Sequence, residues 1–271
     1  MILLIGVLIG LVLGLTGAGG SVFSVPLLVG LLKLEPQKAI GISLGAVAVS
    51  ALYGTVIRIK NNTIQWRPAL AYSMVGAAFA PLGNMMNEHV SGKSLMLWFS
   101  GLVVVVAWNM WVSANRNPGD QGGVRAISLG KMSVAQCPAP SSEKRPFSVS
   151  CFFWMIIGAS ATGMLSGLFG VGGGFVVVPI LMFLMAFTIE QAIATSLVII
   201  ALISTTGFLG FVLNHPSMDL LLFKDVALGG VIGMTIGGFV AKWVAGPNLQ
   251  RIFSILMILM AIFTVCTQLF L

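Results

Sequence analysis

Gly14-Leu15-Thr16-Gly17-Ala18-Gly19-Gly20-Ser21-Val22-Phe23-Ser24-Val25-Pro26 sits in the first hydrophobic block of the chain, and Gly167-Leu168-Phe169-Gly170-Val171-Gly172-Gly173-Gly174-Phe175-Val176-Val177-Val178-Pro179 sits in another. The two align at an offset of 153 residues without a gap. At the same offset Leu28 meets Leu181, Ala39-Ile40 meets Ala192-Ile193, Ser43-Leu44 meets Ser196-Leu197, and Gly54 meets Gly207. The register then slips by one: Gly76 meets Gly230, Gly83 meets Gly237, Gly92 meets Gly246 and Phe99 meets Phe253. Apolar residues coincide easily by chance, whereas this many glycines and a proline do not. The sequence therefore reads as one unit present twice, and such a repeat determines the fold.

The surroundings of both motifs are those of a membrane protein. Of 271 residues, 58% are hydrophobic and 8% are charged, with a mean hydropathy of +1.04. Soluble domains carry about 25% charged residues, and a soluble chain this apolar would expose aggregating patches. Residues 39–57, 68–87, 94–115 and 252–271 are free of charge over 19, 20, 22 and 20 positions. About 20 apolar residues suffice for a spanning helix. Residues 191–218 and 226–241 add two more such stretches, the second bracketed by Lys224 and Lys242. The fold class is an all-α, multi-pass integral protein of the cell membrane.

Two charge-free stretches are too long for one span. Residues 1–32 and 146–189 run for 32 and 44 positions, and the second as one helix would be about 66 Å long at 1.5 Å per residue. Each contains a glycine cluster, so each reads as a broken helix. The unit is then four hydrophobic segments with the first one broken, twice: 2–32, 38–58, 67–87 and 94–113, then 149–188, 190–213, 224–243 and 250–270. The organisation is a membrane repeat over 1–113, a linker over 114–148 and a second repeat over 149–271. The linker holds Pro118, Gly119, Gly122, Gly123, Pro138, Pro140 and Pro146, a composition suited to a flexible extramembrane connection.

Lys/Arg counting puts the linker in the cytoplasm and leaves the rest open. If each broken segment crosses once, the copies are parallel and the basic residues divide nine to five. If each re-enters, the copies are inverted and the division is ten to four. The first basic residue is Lys33, which argues against a cleaved signal with its basic n-region. The net charge of +7 comes from basic residues scattered singly through loops, which gives no nucleic-acid footprint. Cys137, Cys151 and Cys266 have no metal-ligand spacing. No metal and no cofactor is expected.

The chemistry is expected at the breaks. Glycine disfavours a helix interior by about 1 kcal/mol relative to alanine, and clusters of it interrupt helices. Irregular backbone inside a bilayer survives only when buried in protein or lining a water-filled cavity. Matching interruptions in two halves are a pointer to a transport site. Half-helices starting near Ser21 and Gly174 offer free N–H groups and a positive dipole end, which favour an anion. The candidate substrate-binding residues are Gly17, Gly19, Gly20 and Ser21, then Gly170, Gly172, Gly173 and Gly174, with Ser43, Thr195 and Ser196 as hydroxyl donors from the next helix. Gly76, Gly83, Gly233 and Gly237 read instead as close-packing positions. No catalytic residue is assigned: His89, His215 and the acids sit at segment ends, HExxH does not occur, and the one GxSxG, Gly41-Ile42-Ser43-Leu44-Gly45, lies inside a charge-free apolar stretch with no histidine or acid beside it. The expected partners are a small anion and the bilayer; self-association is left open.

At these residues the chain resembles the sulfite exporter TauE/SafE family, the TSUP transporters. The resemblance lies in the doubled motif, in Ala39-Ile40-Gly41-Ile42-Ser43-Leu44 and Ala192-Ile193-Ala194-Thr195-Ser196-Leu197, and in Asn62-Thr63-Ile64-Gln65-Trp66-Arg67. It covers nearly all of the chain except the linker. It implies a secondary transporter of small sulfur oxyanions or organic sulfonates and carboxylates, with a passive anion channel as the alternative. The long linker and Asn214-His215-Pro216, where the first repeat has a basic loop, depart from the pattern.

Overall fold

The computed structural model describes residues 2–17, 20–59, 63–90, 92–116, 149–185, 187, 189–214, 219–240, 255, 258, 259, 261, 262 and 264. Among the described residues there is no strand. The helices are α1 (Ile2–Thr16), α2 (Gly20–Leu32), α3 (Pro36–Ile59), α4 (Trp66–His89), α5 (Gly92–Arg116), α6 (Val149–Phe169), α7 (Gly174–Met185), α8 (Ile189–Asn214) and α9 (Leu220–Val240). Three of them, α3, α8 and α9, are long and apolar enough to cross a membrane by length and composition. Large apolar side chains face outward all round, among them Leu213 at 83%, Trp98 at 75% and Met74 at 74% exposure. Lipid is the medium that tolerates such a surface.

Helix ends follow local chemistry. Helix α9 starts four residues before the expected 224 because Asp219 caps it: its Oδ1 accepts the N–H of Leu221 at 3.2 Å and of Leu222 at 3.3 Å. Lys224 and Asp225 thus fall inside the helix. Most of the segment expected at 250–270, and 117–148 of the linker, lie outside the described residues.

Glycine contacts give the helix directions. A side chain on Gly6 would collide with Val226 and Gly229, one on Gly10 with Gly230, and one on Gly14 with Met234 and Gly237, so α1 and α9 run parallel in near backbone contact. Helices α4 and α6 pair the same way: Gly76 opposes Ala159 and Gly163, and Gly83 opposes Met164 and Leu168. Gly233 and Gly237 press on the Val7 and Leu11 carbonyls, so these are close-packing glycines, the arrangement that replaces a hydrophobic driving force inside lipid. At the centre α3 and α8 run antiparallel, with Gly41 on Phe211, Gly45 on Phe208 and Gly54 on Leu197. Phe208 stacks on Phe223 of α9 at 5.1 Å between centroids.

The chain reverses at both glycine motifs. Gly20, the first residue of α2, lies against Ile9 and Leu13 of α1. In a continuous helix residue 20 would stand about 16 Å beyond residue 9. Gly173 lies against Thr162 and Ser166, and Gly158 against Ile180 farther along α7, so α7 runs back along α6. Gly10 meets Gly230 near the centre of α9, and Gly76 meets Gly163 near the centre of α4. The first turns of α2 and α7 therefore lie level with the middles of α9 and α4, and the two short helices leave that level in opposite directions.

Candidate functional site at the helix breaks

The two breaks have glycine-only backbone. Gly17 has φ +71°, and Gly170, Gly172 and Gly173 have φ +69°, +63° and +65°. These left-handed values strain any residue with a Cβ. Space is closed as well: a side chain on Gly17 would strike Ile193 of α8, and one on Gly170 would strike Ile40 of α3. Ile40 and Ile193 are 153 residues apart, as are Gly17 and Gly170.

Each break is held by the helix from the other side of the molecule. The Ser43 hydroxyl donates to the Gly170 carbonyl at 2.8 Å, and the Ser196 hydroxyl to the Gly17 carbonyl at 3.1 Å. Both serines are fully buried. A carbonyl freed at a helix end and buried in protein must find a donor, and these hydroxyls supply it. Ser196 has an alternative acceptor in its own helix, the Ile193 carbonyl at 2.9 Å. Ser43 also accepts from Ser24 of α2, whose single proton has an alternative acceptor in the Ser21 carbonyl at 2.7 Å. Arg58 Nη2 reaches the Gly14 carbonyl at 3.4 Å, a cation at the C-terminal end of α1 where the helix dipole is negative.

The start of α7 keeps free donors. Val176 and Val177 both donate their N–H to the Gly173 carbonyl, at 3.1 and 3.2 Å. Among the described residues, Gly172, Gly173 and Gly174 donate no backbone hydrogen bond. Around them stand Thr162 and Ser166 of α6, Val47 of α3, and Ile200 and Ser204 of α8. Thr162 is engaged with the Tyr72 hydroxyl and the Gly158 carbonyl. Ser166 Oγ and Ser204 Oγ are buried without a hydrogen-bond partner.

Of the residues expected at the site, Gly17, Gly20, Ser21, Ser43, Gly170, Gly172, Gly173, Gly174 and Ser196 are gathered at the two breaks; Gly19 lies outside the described residues. Thr195 is turned elsewhere: its Oγ1 accepts the N–H of Gln65, which precedes α4. Ser24, Ser166 and Ser204 are not legible as site residues in the sequence, because a serine within an apolar helix looks like any hydroxyl bonded to its own helix. No group of three or more potential metal ligands occurs among the described residues.

The family profile described as "Sulfite exporter TauE/SafE" matches residues 2–264. The chain belongs to this family. A "probable membrane transporter protein" of Xylella fastidiosa (strain 9a5c) is 27% identical, over 96% of this chain and 92% of its own length. "Probable membrane transporter protein YunE" of Bacillus subtilis is 28% identical over 87% of each chain. "Probable membrane transporter protein MJ0441" of Methanocaldococcus jannaschii is 21% identical over 97% of this chain and 94% of its own. No solved structure matches. With the helices already described, membership makes this a multi-pass cell-membrane transporter protein, with transport rather than catalysis as its role.

Proposed function

We propose that the chain is a secondary transporter of small anions, sulfur oxyanions or organic sulfonates and carboxylates, bound between the N-termini of α2 and α7. The observation that carries this reading is the pair of short helices starting level with the middles of α9 and α4 from left-handed glycines. A helix N-terminus in a dry interior is an anion site made of N–H groups and a positive dipole end, with no basic side chain needed. Gly17, Gly19, Gly20, Ser21, Gly170, Gly172, Gly173 and Gly174 are the proposed contacts, with Ser43 and Ser196 on the helices behind them. The family name adds sulfite as the first substrate to try.

The same reading takes 1–113 and 149–271 as duplicated units of opposite orientation around the linker 114–148. Its support is the reciprocity of Ser43 on Gly170 and Ser196 on Gly17, and of Ile40 and Ile193. With both breaks reversing, Arg58, Lys60, Arg67, Lys242, Arg251 and the five linker cations fall on one side of the membrane, against Lys33, Lys38, Lys93 and Lys224. The positive-inside rule then makes the linker cytoplasmic. Inverted units with interrupted helices at their interface are a transporter architecture.

The test is flux of sulfite and sulfoacetate into liposomes holding the purified chain, with and without an imposed proton gradient. Saturable flux that follows the gradient is expected. Flux that never saturates would identify a passive channel instead, and absence of flux for both anions would remove them as substrates.

A further inference from the structure

We infer that the anion is held asymmetrically, at the start of α7, by the Ser204 and Ser166 hydroxyls with the free amides of Gly172–Gly174, and that this charge-neutral donor set selects a head group with one negative charge over a head group with two. The inference rests on the anion-site reading above and deepens it.

The first observation is the unpaired hydroxyls. Ser166 and Ser204 are both fully buried, and both Oγ atoms lack a partner. An unsatisfied buried hydroxyl is destabilising, so two beside one helix start form a site that a ligand completes. Ser204 Oγ lies 2.6 Å from where a Cβ of Gly172 would stand, and Ser166 Cβ lies 3.5 Å from the same point on Gly173. The absence of a Cβ thus lets the backbone at Gly172 lie against the Ser204 hydroxyl, and that at Gly173 close to the Ser166 side chain. The equivalent positions at the first break, 153 residues earlier, are Leu13 and Ala51, both buried in one apolar cluster. Neither of these two side chains carries a hydroxyl.

The second observation is charge. No Lys or Arg occurs between 146 and 223 or between 39 and 57, the stretches that supply the α3, α6, α7 and α8 walls. The desolvation cost of an ion grows with the square of its charge. The stabilisation it draws from fixed neutral dipoles grows only in proportion to the charge. A site of hydroxyls and amides alone therefore favours one negative charge over two.

Methanesulfonate and sulfate separate charge from shape, since both are tetrahedral at sulfur. The full-length protein in detergent is titrated with each at constant ionic strength, following the thermal unfolding midpoint. The same anions compete with labelled sulfite flux in liposomes. Methanesulfonate is expected to bind about tenfold or more tightly than sulfate. Ser204→Ala is expected to weaken methanesulfonate about tenfold, and Ser166→Ala several-fold, in line with a hydrogen bond to a charged group. Equal affinity for sulfate, or methanesulfonate binding unchanged in both monodisperse variants, would overturn the inference while leaving an anion transporter in place. Serine-dependent binding without any flux would uphold the subsite and overturn the transport reading.

Discussion

The first break and the second share a glycine pattern but differ in what surrounds the new helix start. At α2, Ser43 donates across to Gly170, and Ser24 donates either to Ser43 or to the Ser21 carbonyl. Leu13 and Ala51 close the rest with apolar surface. At α7 the equivalent of Ser24 is Val177, and the equivalents of Leu13 and Ala51 are Ser166 and Ser204 with free hydroxyls. The α2 side is a satisfied strut; the α7 side holds donors in reserve. Two backbones of the same shape thus carry different chemistry, because hydroxyl positions are free to vary once glycines have set the turn.

Substitutions can break or sharpen this contrast. The largest effect is expected from Gly172→Leu, which puts a branched side chain at φ +63° into Ser204 Oγ. Sulfite flux should fall at least about 100-fold, the scale on which about 3 kcal/mol is lost, while the protein still inserts. Normal flux at normal expression would remove the α7 start from the site. Next come Gly10→Leu and Gly163→Leu, which wedge apart α1 from α9 and α4 from α6. Overpacking of this kind costs about 1–3 kcal/mol or more, so both should lower yield and the thermal midpoint alike. A large loss at only one of them would deny that the two helix pairs are equivalent.

Smaller effects are expected at the cross-bonds. Ser43→Ala removes a donor whose acceptor, the Gly170 carbonyl, stays buried, and should cost about 1 kcal/mol. Ser196 already shares its proton with the Ile193 carbonyl, so Ser196→Ala should cost about 0.5 kcal/mol, near the mean for hydrogen bonds between membrane helices. Denaturation in mild detergent reads both, and the reverse order would contradict the geometry. Glu35→Gln serves as the control: its bond to Lys38 spans 3.0 Å between two mostly exposed groups, and its loss should change stability by less than about 0.5 kcal/mol.

Much of the architecture is legible in the sequence because lipid reduces the choices to helices. Charge-free stretches locate α3, α4, α5 and α8 to within three residues of the observed ends. The direction of the chain after Gly17 and Gly170 is not legible, since a helix that continues and one that doubles back have the same composition. Contacts such as Gly20 on Ile9 decide it. The start of α9 was missed because Lys224 and Asp225 look like a loop until Asp219 is recognised as a cap. At the site, glycine clusters announce themselves through propensity. Ser166 and Ser204 do not, since only the absence of an acceptor distinguishes them from Ser50 and Ser73, which bond back to Ala46 and Ala69.

The proposed inverted arrangement has a consequence of parity. If α1 and α2 together return the chain to the face it left and α3, α4 and α5 each cross, an odd count delivers the linker to the opposite face. The next helical hairpin must then enter from there. Head-to-tail joining of such halves turns the second upside down without any further instruction, and a helix added to or removed from the linker would set both halves upright and pull α1 away from α9.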